Sequence, residues 1–397
     1  MQSSAATLPM SSAETPASAR ATALPWFVYL VVFAAACIPI GALWDISWHS
    51  TIGRDSFWTP AHIMIYLGGA LPGMCCGWLA LKTSFFGTPQ ERAASVRYLG
   101  FYAPLGAWVT IWGSLTMLVS APFDNWWHDA YGLDVEILSP PHSLLALGMY
   151  AVAVGAMLLA LSWQNRGTEE TARSAARLFL FAMGVLVVMA SIILTEQSYP
   201  NAQHMGKFYI VSTVTYGGYL AVATRASRGR WGATWAAAIY MAIMCGMIWT
   251  LPLFKAQPLL APIYKQVDRM VPPVFPHLLI LPAFFMDLLN QRFGKNFNWK
   301  KDFALAAGLA VTFFLIFLPA QWNFSAFLLG AAADNWFFAG GRQWPYFIEA
   351  REFRYRFWGA EDGKWLSSYS AAIALIIASV KIWLALRLSA WMRRVQR

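Results

Sequence analysis

The chain has 397 residues, of which 58% are hydrophobic and only 12% are charged. Soluble domains carry about 25% charged residues, so this composition excludes an ordinary soluble globular protein. The formal net charge of +10 does not indicate nucleic-acid binding, because the basic residues fall in the short segments between long apolar runs.

An all-α fold is predicted from the order of polar and apolar segments. Residues 1–23 are rich in Ser, Ala, Thr and Pro and lack the basic start of a signal peptide, which predicts a disordered cytoplasmic tail. Apolar runs of roughly 18 to 25 residues follow, each long enough to cross a bilayer as a helix. We therefore predict a polytopic transmembrane helix bundle of about ten spans. The spans are expected to begin near Leu24, Pro60, Leu99, His142, Ala176, Phe208, Trp231, Val274, Phe303 and Ser367.

The basic residues alternate between the two sides of this predicted bundle. Most of them follow the second, fourth, sixth, eighth and last spans, and few lie in the short loops between. Cytoplasmic loops of membrane proteins carry such an excess of Lys and Arg. We therefore expect a multi-pass protein of the bacterial inner membrane, surrounded by the lipid bilayer, with both termini cytoplasmic.

A sequence repeat covers the first two helix pairs. The first copy runs from Trp44 to His62 and the second from Phe123 to His142. Both read Asp-x-x-Trp-His-x-x-x-Gly-x-Asp, then a short gap, then Pro-x-His. The two copies hold four of the six histidines of the protein. The matched pairs are Asp45 with Asp124, Trp48 with Trp127, His49 with His128, Gly53 with Gly132, Asp55 with Asp134, Pro60 with Pro140, and His62 with His142.

Helix geometry brings the polar residues of each copy together. Asp45 and His49 are four residues apart, so they share a face at the outer end of the first predicted helix. His62 opens the next helix behind Pro60, a residue favoured at helix starts, and the short loop returns it to the same depth. The two helix pairs run in the same directions and form a parallel repeat, related by an axis along the membrane normal. The second copy places its equivalents in the same way: Asp124, His128 and His142.

A carboxylate and two imidazoles that converge on one point form a metal-binding set. A single His or Asp at a membrane boundary is more often a hydrogen-bonding or capping group, but ionisable groups near a bilayer are costly and a duplicated set indicates function. The donors suit copper(II), zinc or non-haem iron. Asp55 and Asp134 are candidate acceptors for the imidazole N–H groups. The predicted metal ligands are Asp45, His49, His62, Asp124, His128 and His142.

The same stretches resemble a known family. The pattern Asp-x3-His-x12-His, with Trp before the first His and the ending Thr-Pro-x-His, is similar to the C subunit of the particulate methane and ammonia monooxygenases, the copper membrane monooxygenases. The resemblance covers roughly residues 25–165. It implies that Asp45, His49 and His62 bind one copper ion and that the second set binds its neighbour. Asp124 stands where the family commonly has Asn, which adds a negative charge to the second site.

The chain is therefore divided at the end of the resemblance. Residues 24–165 are interpreted as a metal-binding helix repeat similar to that C subunit, and residues 166–397 as additional transmembrane helices. An aromatic segment at 322–365 is too long for a simple outer turn, and it is expected to be a lid over the metal sites, a packing loop or a contact for another subunit. Structural roles are expected for His204 and His277, near the outer ends of later spans.

Three functions remain open at this point. The resemblance implies a copper-dependent membrane monooxygenase, or a subunit of one, that acts with oxygen on a small apolar substrate, alone or with other membrane subunits. The first alternative is a non-catalytic role in copper sensing, storage or transport, although ligands at one boundary disfavour transport, since transporters bind near the midplane. The second is a structural subunit whose metal ion only holds helices together.

Overall fold

The structure, a computed structural model, describes residues 23–54, 56–132, 139–294, 298–349, 354–359 and 363–397. These residues form twelve α-helices, one two-stranded antiparallel hairpin and three short 3-10 turns at Pro200–Ala202, Leu251–Leu253 and Ala331–Ala333. The helices are α1 (Trp26–Thr51), α2 (Pro60–Phe86), α3 (Pro89–Ala93), α4 (Leu105–Tyr131), α5 (Pro140–Arg166), α6 (Glu169–Ile193), α7 (Thr195–Ser198), α8 (Gly206–Ala226), α9 (Gly232–Thr250), α10 (Ile280–Phe293), α11 (Trp299–Leu329) and α12 (Ser368–Met392).

Eight helices within the described ranges are long and apolar enough to cross a membrane: α1, α2, α4, α5, α6, α9, α11 and α12. They confirm the prediction of an all-α, multi-pass membrane bundle. Two predicted spans differ from these eight. The span predicted near Phe208 is α8, which is 21 residues long and largely buried inside the bundle. The span predicted near Val274 is helical only in α10, which is 14 residues long.

Two differences from the predicted helix starts have local causes. The helix expected near Leu99 begins at Leu105, because strands Val96–Tyr98 and Phe101–Ala103 form a hairpin before it. Leu99 and Gly100 both have positive φ, of 48° and 86°, as a two-residue hairpin turn requires. The helix expected near Val274 begins at Ile280, because prolines at 272, 273 and 276 lack the N–H group that a helix needs. Within the aromatic segment 322–365, α11 continues as a helix to Leu329.

Glycines allow the first four long helices to pack closely. In the α4–α5 pair, a Cβ atom on Gly106 would lie 2.5 Å from the carbonyl oxygen of Gly155, and one on Gly113 would lie 2.8 Å from that of Gly148. The α1–α2 pair is packed in the same manner, because a Cβ on Gly41 would lie 2.9 Å from the carbonyl oxygen of Ala61. Such close backbone approach is typical of helices that associate in membranes.

The two pairs are joined through α2 and α4. The Ser114 hydroxyl donates to the carbonyl oxygen of Gly69 at 2.8 Å, and Gly69 also lies against Met117. Gly69 is seven residues after His62, and Met117 is seven residues before Asp124. Both motifs therefore lie about 10 Å along their helices from the same contact, in the same direction. The fold places the two motifs side by side at one end of the bundle.

The opposite end of the bundle collects basic residues. Arg225 at the end of α8 forms an ion pair of 2.9 Å with Asp302 at the start of α11, and both side chains are 1% exposed. The Arg393 guanidinium donates to the carbonyl oxygen of Arg225, and the Asn165 amide donates to that of Val395. Asn165 lies roughly 35 Å along α5 from the motif at its start. A cluster of arginines thus lies at this end of the bundle, whereas the four motif histidines lie at the other end.

Candidate metal centres

The first centre is built by the last turn of α1 and the first turn of α2. Asp45 lies between two imidazoles: its Oδ1 is 3.2 Å from Nε2 of His62, and its Oδ2 is 3.8 Å from Nε2 of His49. Asp45 and His49 share a face of α1, as their spacing predicts. The His49 side chain is 49% exposed, whereas those of Asp45 and His62 are 24% and 22% exposed, so the centre opens toward one side.

The second centre repeats this arrangement at the junction of α4 and α5. Asp124 again lies between two imidazoles, with its Oδ2 3.4 Å from Nε2 of His128 and its Oδ1 3.4 Å from Nε2 of His142. One ligand atom from each of the three side chains can be chosen so that all lie within 4.8 Å of one another. Among the described residues, this is the one set that meets this distance criterion for a metal ion. The second centre is therefore the more compact of the two.

Both centres use the same cap to hold their last histidine. Thr59 and Ser139 are the N-caps of α2 and α5, and their hydroxyls accept from the backbone N–H of His62 and His142 at 3.4 Å. A proline follows each cap at the first helical position, where its missing N–H has no cost. The signal for this shared cap, the pairing of Thr59-Pro60 with Ser139-Pro140, is visible in the sequence.

Two glycines end the helices that carry the aspartates. Gly53, beyond the end of α1, has φ +84°, and Gly132, at the end of α4, has φ +95°. A left-handed residue directly after a helix lets the chain reverse, and glycine adopts this conformation without a steric penalty. The matched glycines in the repeat thus start the loop that brings His62, or its equivalent, back to its aspartate.

The protonation of two rings is set by the backbone. Nδ1 of His62 lies 3.0 Å from the carbonyl oxygen of Ser56, and Nδ1 of His128 lies 3.2 Å from that of Gly132. A carbonyl oxygen only accepts hydrogen bonds, so each Nδ1 carries a proton and donates it. In a neutral ring, Nε2 then presents a lone pair to the aspartate. Metal-binding histidines commonly donate their other N–H in this way.

The aspartate oxygens and the histidine Nε2 atoms that face each other need a positive charge between them. Oδ1 of Asp45 and Oδ1 of Asp124 are buried and accept no hydrogen bond from the described residues. The Nε2 lone pair of a neutral His62 ring faces Oδ1 of Asp45 at 3.2 Å, and that of a neutral His128 ring faces Oδ2 of Asp124 at 3.4 Å, so two acceptors meet in each centre. A proton would satisfy one ring, whereas one metal ion would satisfy the carboxylate and both rings together. The donor set therefore fits a divalent metal ion such as copper(II), zinc or non-haem iron(II), and does not choose between them.

The other predicted site residues fall in two groups. Asp55 and Asp134, predicted as acceptors for imidazole N–H groups, lie outside the described residues. For the rings of His62 and His128, backbone carbonyl oxygens already accept the Nδ1 proton. His204 and His277 belong to neither centre. The His204 ring stacks between Trp322 and Phe357, with ring centroids 3.6 Å apart on each side. His277 is buried inside the bundle.

Part of the aromatic segment 322–365 packs against the end of α1 and the residues that follow it. The backbone N–H of Tyr346 donates to the carbonyl oxygen of Ser50 at 3.3 Å, and the Tyr346 hydroxyl lies against Gly53. Trp344 is fully buried and stacks on Tyr199 at a ring-centroid distance of 5.3 Å. Tyr346 therefore packs on the end of α1, next to the helical turn that carries His49.

The chain matches no protein-family model, no curated protein and no solved structure.

Proposed function

We propose that this chain is an integral membrane protein that binds copper at two centres. Asp45, His49 and His62 would hold one ion, and Asp124, His128 and His142 the other. The observation that carries the proposal is the carboxylate held between two Nε2 atoms in both copies of the repeat, with Nδ1 of His62 and of His128 donating to the backbone. The choice of copper over zinc or iron rests on the resemblance to the copper membrane monooxygenases.

The proposed activity is oxidation of a small apolar substrate by oxygen, with this chain acting alone or beside other membrane subunits. Copper would supply one-electron redox chemistry at the membrane boundary. The chain's own residues would position it: the aspartates set the local charge, the Nδ1 hydrogen bonds fix the ring planes, and the capped starts of α2 and α5 hold the last histidine of each set. An apolar substrate and oxygen would enter from the lipid.

The non-catalytic alternatives have one observation in their favour. Each centre ties the end of one long helix to the start of the next, so a metal ion there would also hold the two helices together. Copper sensing or storage and a structural role share this geometry with catalysis. Transport is disfavoured, because both centres lie at one end of the bundle and transporters bind their substrate near the midplane.

The proposed membrane topology adds two spans to the eight long apolar helices. Helix α8 and the segment 271–293, whose second part is α10, would each cross the bilayer, which makes ten spans. An even number places both termini on one side, and the arginine-rich end is proposed to be cytoplasmic in a bacterial inner membrane. The α1–α2 and α4–α5 pairs would then form a parallel repeat with both copper centres on the periplasmic side.

Elemental analysis of the purified protein tests the copper centres. We expect up to two copper ions per chain in the wild type and almost none in the double variant His49→Ala/His128→Ala, because each centre loses one of three ligands. Asp124→Ala should also lose copper, whereas Asp129→Ala is the matched control, since Asp129 lies on the same helix and is bonded by Asn125 instead. Equal copper content in the wild type and the double variant would contradict the proposal.

The same proteins test the oxidation. Copper-loaded wild type, given a small alkene and a quinol as electron donor, should consume oxygen and form the oxygenated product. One oxygen atom enters the substrate and the other leaves as water, with two electrons and two protons from the quinol. Copper binding without oxygen consumption would favour the non-catalytic alternatives and leave the copper centres in place.

A further inference from the structure

A non-helical segment is buried inside the bundle at residues 271–279. Most of its side chains are buried, and the chain becomes helical only at Ile280. Non-helical backbone is tolerated within a membrane protein only where other protein groups or a polar cavity satisfy it. Discontinuous spans of this kind commonly form binding sites in membrane proteins.

Side chains from three other helices satisfy the amide groups of this segment. The hydroxyl of Thr51, on α1, accepts from the N–H of Val271 at 2.7 Å. The hydroxyl of Tyr240, on α9, accepts from the N–H of His277 at 3.0 Å, and the Gln321 side chain, on α11, accepts from that of Leu278 at 2.8 Å. The irregular segment is therefore held in place by specific contacts.

A cavity lies between this segment and helices α1, α6 and α9. Its volume of about 40 Å³ exceeds the 10–15 Å³ that one water molecule needs, so it can hold two or three waters or one cation with its ligands. Hydroxyl groups line it from α1, α6 and α7. They belong to Ser47, Ser50, Ser191, Thr195 and Ser198.

The cavity offers mainly oxygen acceptors. The prolines of the segment have no N–H, and the carbonyl oxygens of residues 272–275 accept no hydrogen bond from the described residues. No Asp, Glu, Lys or Arg of the described chain lines the cavity. The hydroxyls of Ser47, Ser191 and Thr195 already donate their protons to backbone carbonyl oxygens, so few donors remain for an anion, and Mg²⁺ or Ca²⁺ would need carboxylates. Carbonyl and hydroxyl oxygens without a carboxylate suit a cation of single charge.

His277 supplies an independent indication of a ligand. It lines the cavity and is 2% exposed. Its Nδ1 pairs with the hydroxyl of Tyr216 at 3.0 Å, whereas its Nε2 has no partner among the described residues. A buried ring nitrogen without a partner is costly, and a bound species in the cavity would satisfy it. Tyr216 lies near the middle of α8, so His277 is near the middle of the bundle.

We infer that this cavity is a binding site for a monovalent cation such as Na⁺ or K⁺. The ligands would be carbonyl oxygens of the proline-rich segment together with the hydroxyls of Ser47, Ser191 and Thr195. The site is separate from the two metal centres, although Ser47 and Ser50 lie on the same helix as Asp45 and His49. Its occupation would stabilise the discontinuous span, because it satisfies backbone groups that otherwise lack partners.

Thermal unfolding of the full chain in a neutral detergent tests the site. Tm is measured in NaCl, KCl and choline chloride at equal ionic strength. A cation that binds only the folded protein raises Tm with its concentration and saturates as a single site does. We expect this saturating rise for Na⁺ or K⁺ relative to choline. Equal Tm values in all three salts would overturn the inference and indicate a cavity that holds only water.

A double variant locates the cation. Ser191→Ala/Thr195→Val removes two hydroxyl ligands and should weaken the apparent affinity for the cation by about tenfold or more, since interactions of a polar group with a charged one are stronger than those between neutral groups. Ser389→Ala is the matched control, because Ser389 is also buried but lies on α12 and bonds the carbonyl oxygen of Ala385. A folded double variant with unchanged cation dependence would refute the location. If the double variant does not fold, Ser47→Ala replaces it with the same criteria, because Ser47 is the third proposed hydroxyl ligand.

Discussion

Asp45 and Asp124 each present a buried carboxylate oxygen to an imidazole nitrogen. In each set, one histidine (His62 or His128) donates its Nδ1–H to a backbone carbonyl oxygen. The two centres nevertheless differ in detail. The contacts of Asp124 are equal at 3.4 Å, whereas those of Asp45 are 3.2 and 3.8 Å, with His49 the most exposed ligand. The loop to His142 is one residue longer than the loop to His62, and that extra length accompanies the more symmetric set.

Unequal copper affinity is the first prediction at this scale. The Asp124 centre should load first, because its three ligand atoms already lie within 4.8 Å of one another and need less rearrangement. Stepwise copper titration followed by electron paramagnetic resonance should give two successive signals. Asp124→Asn should lower the copper affinity of the centre that loads first by about tenfold or more. Asp45→Asn should lower mainly the affinity of the centre that loads second. Two identical signals with the same response to both substitutions would contradict this order of loading.

A pH effect is expected at His204, which lies outside the long apolar helices. Burial lowers the pKa of His204, and the carbonyl oxygen of Trp322 opposes this only in part. Because its pKa is lower in the folded than in the unfolded protein, its contribution to stability is full above about pH 6.5 and is lost as the pH falls through the folded-state pKa. Tm should therefore fall on acidification from pH 7.5 to pH 5.

His204→Phe is the control for this effect, since it keeps a ring between Trp322 and Phe357 and cannot be protonated. Its Tm should fall less than that of the wild type over the same pH range. An equal fall in both proteins would show that other groups cause the pH dependence.

At the scale of helices, the α4–α5 contact depends on glycine. A Cβ atom at position 106 would lie 2.5 Å from both the carbonyl oxygen of Gly155 and the backbone nitrogen of Leu159, so the two helices would have to separate. Gly106→Ala should lower the free energy of unfolding by about 1–3 kcal/mol, measured by denaturant titration in detergent.

Gly246→Ala is the matched control for this substitution. Gly246 lies in α9, and a Cβ there would meet no atom within 4 Å. Alanine is favoured over glycine in a helix by about 0.5–1 kcal/mol, so this variant should be neutral or slightly more stable. Equal destabilisation by both substitutions would mean that helix packing at Gly106 is not the cause.

At the scale of the whole molecule, the separation of arginines from histidines predicts the topology. Reporter fusions after Gln90 and after Arg397 should be cytoplasmic, and a fusion after Lys265 should be periplasmic. The reason is the excess of basic residues at the end where α5, α8 and α12 finish. A periplasmic C-terminus would mean an odd number of spans, and α8 or the segment 271–293 would then not cross the membrane.

Local patterns predicted the helical membrane fold and the contacts within each Asp-His-His set. The apolar runs predicted the eight long helices, because a span needs a length and a hydrophobicity that are both visible in the sequence. The spacing of Asp45 and His49 predicted a shared helix face, and the prolines before His62 and His142 predicted helix starts. The hairpin before α4 and the non-helical segment before α10 were missed, although the prolines at 272, 273 and 276 were a signal against a helix.

The sequence by itself determined the eight long apolar helices and which side chains meet within each Asp-His-His set, since both follow from patterns of nearby residues along the chain. Only the tertiary structure decided that the two motifs lie at similar distances from one contact between α2 and α4, that the Asp124 set is the more compact, and that His277 lines a cavity beside a non-helical segment. These depend on contacts such as Gly69 with Met117 and Thr51 with Val271, between residues far apart in sequence. Such contacts follow from the packing of whole helix surfaces, which no local pattern contains.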